Sequence, residues 1–122
     1  MGAVVDVLSL FKTESEKQSH SAGAIVFRKG DEARAMYVVL EGEVDIVLDG
    51  RVLSTEGAGS LFGEMALIGD HRRSADAVAK SNCVLACIDE RRFAFLVGET
   101  PYFALHVMRL LVERIRRKER AD

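Results

Sequence analysis

Between Phe62 and Ala75 two glycines, a carboxylate and a pair of arginines crowd into one short segment, Phe-Gly-Glu-Met-Ala-Leu-Ile-Gly-Asp-His-Arg-Arg-Ser-Ala, with apolar runs on either side. Gly63 lets the backbone turn sharply and approach another molecule closely, and Glu64 to Ile68 carries enough helix formers for a short helix. The first turn of such a helix points unpaired N–H groups outward and attracts an anion. Arg73 adds a planar, two-pronged donor suited to phosphate. Glu64 has the wrong charge for that phosphate, but it can accept hydrogen bonds from sugar hydroxyls beside it, as an acidic residue does for ribose in dinucleotide folds. Together these groups describe a small pocket for a sugar phosphate. The plainer alternative is a structural ion pair between Glu64 and Arg73 that holds a loop shut.

Other chemistries find less support. His20, His71 and His106 are scattered, without the paired spacing of a metal site, and no Ser or Cys lies in a nucleophile motif, so the sequence predicts neither a metal nor an enzyme. Gly57 to Gly63 is glycine-rich, yet its spacing and the hairpins before it do not fit a dinucleotide fingerprint. Cys83 and Cys87 stand four residues apart in an apolar run. On one strand that separates their Cα atoms by roughly 13 Å, too far for a disulfide, and they read as small core residues in a reducing, cytoplasmic setting.

The elements that must position this segment are mostly strands. Ala24 to Phe27, Met36 to Leu40, Val44 to Leu48, Ala75 to Ala79 and Cys83 to Ile88 are apolar runs separated by turn signals, of which Asp49-Gly50 is the strongest hairpin signal. Gly30 supplies a positive φ after the first of them. This succession means an all-β roll, barrel or sandwich rather than alternating strands and helices. Apolar positions from Val4 to Phe11 predict a short helix at the start, and the polar stretch from Lys12 to Ser21 reads as a connector. Asp89 is a candidate N-cap for a helix carrying Phe93, Leu96 and Val97, and Thr100-Pro101 opens a longer helix reaching close to Arg120. Phe103, Val107, Leu110, Leu111 and Ile115 form an apolar stripe on that helix, suited to packing on the roll, to a dimer seam or to a ligand lid. The basic residues at its end complement the helix dipole. At 122 residues, 48% hydrophobic and 30% charged, the chain reads as one soluble domain, and its net charge of -2 argues against direct nucleic-acid binding. Nothing in it reads as an export signal or a membrane span.

Phe62-Gly-Glu-Met-Ala-Leu-Ile followed by Arg73-Ser-Ala resembles the phosphate-binding cassette of cyclic nucleotide-binding domains, of the kind in protein kinase A regulatory subunits and the catabolite activator protein. The likeness holds the Gly-Glu pair, the small residue two after the Glu and the Arg nine after it, and it extends from about Gly23 to Arg117. It implies a mainly β fold, an eight-stranded antiparallel, jelly-roll-like β-roll with flanking helices. Residues 1–22 would form the N-terminal helix and connector, 23–89 the roll with the cassette at 62–75, and 90–120 the C-terminal helices. The implied ligand is cyclic AMP, with cyclic GMP possible, and the implied binding set is Gly63, Glu64, Met65, Ala66, Arg73, Ser74, Ala75 and Arg114. Arg73 would take the phosphate oxygens with Ser74 and the amides of Ala66 and Ala75. Glu64 and the Gly63 backbone would take the ribose 2′-hydroxyl. Arg114 lies on the long helix where several family members place an arginine near the nucleotide. Ser74 in place of Thr tilts the family analogy toward cyclic AMP. His71 and Arg72 depart from the family pattern, and Asp76 replaces a common hydroxyl residue, where its repulsion of a phosphate predicts somewhat weaker affinity.

Read this way, the chain is a non-catalytic cyclic nucleotide sensor with a protein partner or a homodimer through its C-terminal helix. Two alternatives stay open: the sensory half of a helix-turn-helix regulator or channel, cut before its output domain, and a protein-interaction module without a ligand.

Overall fold

The computed structural model describes residues 7–14 and 16–121. The chain runs α1 (Val7–Phe11), β1 (Lys17–His20), β2 (Ile25–Phe27), β3 (Ala35–Glu41), β4 (Val44–Leu48), β5 (Arg51–Glu56), β6 (Leu61–Phe62), α2 (Glu64–Ile68), β7 (Asp76–Ala79), β8 (Cys83–Asp89), α3 (Glu90–Glu99) and α4 (Pro101–Ala121). The eight strands form two antiparallel sheets of four, in the orders β1-β8-β3-β6 and β2-β7-β4-β5. This is the β-roll with flanking helices.

Side-chain alternation on β3 and β8 explains how one sheet serves two cores. Met36, Val38, Ala86 and Ile88 turn one way and pack with Phe11, Leu61, Leu67, Leu96, Phe103 and Val107, which come from the helices and β6. Tyr37, Val39, Leu85 and Cys83 turn the other way, into the roll, against Val44, Phe62, Ala77 and Ala79. A strand buried on both faces reads as a continuous apolar run, as Met-Tyr-Val-Val does.

The turns follow the sequence. Asp49 and Gly50 both have positive φ, 51° and 79°, as a two-residue hairpin of the type I′ class requires, and Gly30 sits at φ 90°. Asp89 caps α3, its Oδ1 accepting the Arg92 N–H at 2.7 Å. Thr100 both closes α3, its N–H donating to the Leu96 carbonyl, and opens α4, its carbonyl accepting from Phe103 at 2.9 Å.

Two expectations change, and Asp76 gains a structural partner. Part of the connector at Lys12 to Ser21 is a strand: Lys17-Gln-Ser-His pairs with β8 in the register Lys17↔Ala86 to His20↔Cys83. As an edge strand that is almost wholly exposed, it is held by backbone hydrogen bonds and needs no apolar pattern. The stripe on α4 splits as well. Phe103 and Val107 are buried and Leu110 and Leu111 half-buried, whereas Ile115 is 55% exposed and belongs to a different face. Asp76 is taken up structurally, its Oδ1 accepting the Lys29 N–H at 2.7 Å across the β2–β7 pair. Val4 and Val5 of the predicted first helix, and the side chains of Lys118, Glu119 and Arg120, lie outside what is described.

Candidate functional site

Leu61 and Phe62 anchor the cassette from below, one in each core, and the chain leaves them through Gly63 at φ 82°, ψ 2°. A Cβ at Gly63 would stand 2.7 Å from Arg73 Nη1 and 3.6 Å from the Tyr37 ring, so the position needs glycine for both its backbone angle and its space. α2 follows, with Glu64, Ala66 and Leu67 buried and Met65 and Ile68 exposed. Gly69 ends it, its N–H donating to the Met65 carbonyl. His71, at φ 61°, then reverses the chain, its N–H bonded to the Ala66 carbonyl and its own carbonyl accepting from Ala33. That ladder explains His71 as a turn residue, since histidine tolerates the left-handed region better than most. Its ring Nε2 lies 3.7 Å from Glu90 Oε2 on α3. Arg72 donates to the Gly30 carbonyl at 3.4 Å, joining the cassette to the turn after β2.

Arg73 is 5% exposed. Its Nη1 donates to the Gly63 carbonyl at 2.9 Å and its Nη2 to the Ala35 carbonyl. The guanidinium carbon sits 4.0 Å above the Phe27 ring and 5.7 Å from that of Tyr37, which stacks on Phe62. Burial lowers the pKa of Arg73, an effect that Tyr37 and Asp31 oppose, while burial raises that of Tyr37. The group stays a cation held edge-on by carbonyls and face-on by aromatics. Its Nε has no hydrogen-bond partner among the described residues.

Glu64 is fully buried, at 0% exposure, and its partner is not Arg73. Oε1 accepts from Nη1 of Arg114, which reaches down from α4. The other nitrogen of Arg114, Nη2, donates to the Leu61 carbonyl at 2.7 Å and lies 3.5 Å from Glu56 Oε1. Burial lowers the pKa of Arg114, Glu56 raises it and Arg117 lowers it further. Glu64 Oε2 has no partner among the described residues.

The structure therefore brings Gly63, Glu64, Arg73 and Arg114 into one connected network through the cassette. Ala66 and Ala75 are buried within it, and Ser74 is exposed at its edge. The side chain of Met65 points to solvent, which leaves only its backbone for a site role. The ion pair between Glu64 and Arg73 is replaced by two separate arrangements. Sequence reasoning did not single out Glu56, Phe27 or Tyr37. Inward alternation on β3 was a signal for Tyr37, but nothing local marks Glu56, which matters only because α4 folds back over it. A cavity of about 500 Å³, lined by Glu14, Glu16, Cys87, Asp89 and Arg92 among others, lies elsewhere and includes neither Glu64 nor Arg73. Its Glu14 is already bound bidentately by Arg92, at 2.8 and 3.0 Å. Among the described residues there is no group of three or more His, Cys, Asp and Glu placed to hold a metal, and no single helix long and apolar enough to cross a membrane.

A two-sheet antiparallel roll with a buried Gly-Glu turn and a stacked arginine defines a class of regulatory ligand-binding domain. The family profile described as cyclic nucleotide-binding domain matches residues 17–100, and the chain belongs to that family. It is 40% identical over 88 residues to the cAMP-dependent protein kinase regulatory subunit of Eremothecium gossypii, covering 72% of this chain and 19% of that protein. It is 31% identical over 120 residues to the cyclic AMP receptor protein of Thermus thermophilus, covering 94% of this chain and 56% of that one. The solved catabolite activator protein of Thermus thermophilus superposes with a TM-score of 0.79 at 31% identity, over 93% of this chain and 54% of that chain. A chain solved in connection with a cyclic-GMP-dependent signalling pathway that regulates bacterial phytopathogenesis gives 0.79 at 29% identity, over 94% and 95% of the two chains. This chain thus spans between about a fifth and a little over half of the curated relatives described.

Proposed function

We propose that this domain is a non-catalytic sensor that binds a cyclic nucleotide, cyclic AMP in preference to cyclic GMP, between the cassette and α4. One observation carries the reading: Glu64 Oε2 and Arg73 Nε are buried polar atoms without partners among the described residues, an acceptor and a donor on residues of one short segment. Leaving such atoms unpaired costs about 1–3 kcal/mol each, more for charged groups. A ribose hydroxyl donates to the first and a phosphate oxygen accepts from the second, so one sugar phosphate satisfies both. Ser74 and the amides of Ala66 and Ala75 complete the phosphate site, and the Gly63 backbone and the amide of Met65 line the turn beneath it. Arg114 borders the ribose through Glu64. The carbonyls and aromatic rings around Arg73 fix its plane in advance, which reduces the ordering cost of binding.

The output is α4. Arg114 ties this helix to the same carboxylate that receives the ribose, so a ligand that binds Glu64 differently in two positions of α4 shifts the balance between them. The helix also offers a second apolar face. Leu105, Met108, Val112 and Ile115 are exposed and spaced three, four and three residues apart, the a/d pattern of a two-stranded coiled coil. A parallel pairing of two copies sets Arg116 beside Leu111 of its mate, whereas an antiparallel one opposes Arg109 and Arg116. A parallel homodimer is therefore the favoured partner arrangement, in a cytoplasmic setting. The cyclic AMP named for two relatives supports the choice of ligand, and the cyclic GMP pathway of another makes the guanine nucleotide the necessary control.

The test is calorimetric titration of nucleotide-free protein with cyclic AMP and cyclic GMP, alongside Arg73→Ala. Losing the charged hydrogen bonds of Arg73 is expected to weaken binding by on the order of 3 kcal/mol, a factor of more than a hundred. Absence of binding by folded wild-type protein to either nucleotide would refute the reading and direct attention to protein partners alone.

A further inference from the structure

We infer that Glu56 is a positioning residue, which together with Arg114 latches α4 onto the mouth of the nucleotide pocket independently of what engages Glu64. The functional meaning of this latch rests on the nucleotide-binding reading above, while its existence rests on side-chain geometry. Arg114 gathers acceptors from three elements: Glu56 at the end of β5, the Leu61 carbonyl on β6 and Glu64 on α2. One guanidinium thus faces two carboxylates, whose side chains are 13% and 0% exposed. A neutral pair needs only one of them. The surplus carboxylate has two local effects. It offsets the like charge of Arg117, three residues further along the helix. It also gives Arg114 an anchor that a ligand at Glu64 does not share.

The division of labour follows from the individual atoms. Glu64 meets Arg114 through Oε1, and its Oε2 has no partner among the described residues, so a hydroxyl donor at Oε2 has no need to displace the arginine. Such a donor still draws on the same carboxylate and weakens its hold on Arg114. Glu56 does not take part in that exchange. Its attraction to Nη2 keeps the helix seated while Glu64 takes on a second partner, and it slows the opening through which a nucleotide leaves.

The experiment is hydrogen exchange on the ligand-free full chain, comparing wild type, Glu56→Gln, Arg114→Lys and the double variant. A partly exposed ion pair of this kind sets local opening, so Glu56→Gln is expected to exchange the α4 amides between Phe103 and Ile115 roughly fivefold faster, with β3 and β8 unchanged. Arg114→Lys is expected to do the same, because a point ammonium cannot span both carboxylates and the carbonyl. The double variant should then go no further than Arg114→Lys alone. Unchanged exchange in α4, equal acceleration in β3 and β8, or fully multiplicative effects in the double variant would each overturn the latch. A second arm follows dissociation of a fluorescent cyclic AMP analogue, expected to be roughly fivefold faster from Glu56→Gln. Equal dissociation rates would also overturn it. Should the wild type bind no nucleotide while α4 still responds to Glu56→Gln, the latch stands and the nucleotide reading alone fails.

Discussion

Gly63 shows how one residue ties the site together. Its positive φ starts α2, its carbonyl accepts from Arg73, and the absence of a side chain leaves room for that guanidinium. Gly63→Ala is expected to destabilise the fold by about 1–2 kcal/mol from the left-handed backbone alone, and the new Cβ should push Arg73 off the Gly63 carbonyl. Denaturant unfolding reads the first effect and a loss of cyclic nucleotide affinity the second. Cys87 gives a pH-dependent handle inside the roll. Burial, assisted by Glu16, pushes its thiol up to about 11. The neutral thiol is favoured in the folded state, so its contribution to stability is present below the ordinary value of 9.0 and is lost as pH rises toward about 11. Melting temperatures of wild type and Cys87→Ser should accordingly converge or cross over that interval, with the wild type falling faster.

At the level of elements, α4 carries three loads on three faces. Phe103 and Val107 hold it to the roll, Arg114 reaches into the cassette, and Leu105, Met108, Val112 and Ile115 face outward. If the outward face is a dimer seam, one charge at its centre should break it. Val112→Glu is expected to convert a dimer to a monomer in sedimentation equilibrium while leaving the far-ultraviolet circular dichroism unchanged, since Val112 makes no part of either core. A monomeric wild type would remove the seam and leave this face to another partner. The same element shows what its sequence held. Thr100-Pro101 marked its start and the basic run its end, but the division of its apolar positions into a docked face and a free one depended on where α3 turned it.

For the whole molecule, Phe103 is the point where the helices meet. Its ring lies edge-on to Phe11 at 5.4 Å and to Phe93 at 6.0 Å, so α1, α3 and α4 converge on one side chain above the sheet. Phe103→Ala is expected to cost about 3–5 kcal/mol, because the surrounding groups come from separate elements and cannot all collapse inward. Thermal unfolding should show a correspondingly lower midpoint. The effect should extend to ligand binding, since undocking α4 withdraws Arg114 from Glu64. The roll itself was largely legible: turns at Gly30 and Asp49-Gly50, and apolar runs at β3, β4 and β8, follow from local chemistry. β1 was not, because an exposed edge strand such as Lys-Gln-Ser-His is specified by its neighbour's hydrogen-bonding groups rather than by a pattern of its own.

The sequence by itself determined the class of fold, the position of the cassette and the presence of a carboxylate and an arginine in it, because glycine angles, alternation and residue chemistry act over a few positions. Only the tertiary structure decided who partners whom. Glu64 meets Arg114 rather than Arg73, although Arg73 is the nearer in sequence, since the return of α4 over the roll brings a residue fifty positions away onto it. Arg73 instead stacks on Phe27 and binds carbonyls of two other elements. Partnership in a buried site depends on which elements cross there, and that follows from packing the two cores, which no local stretch of sequence specifies.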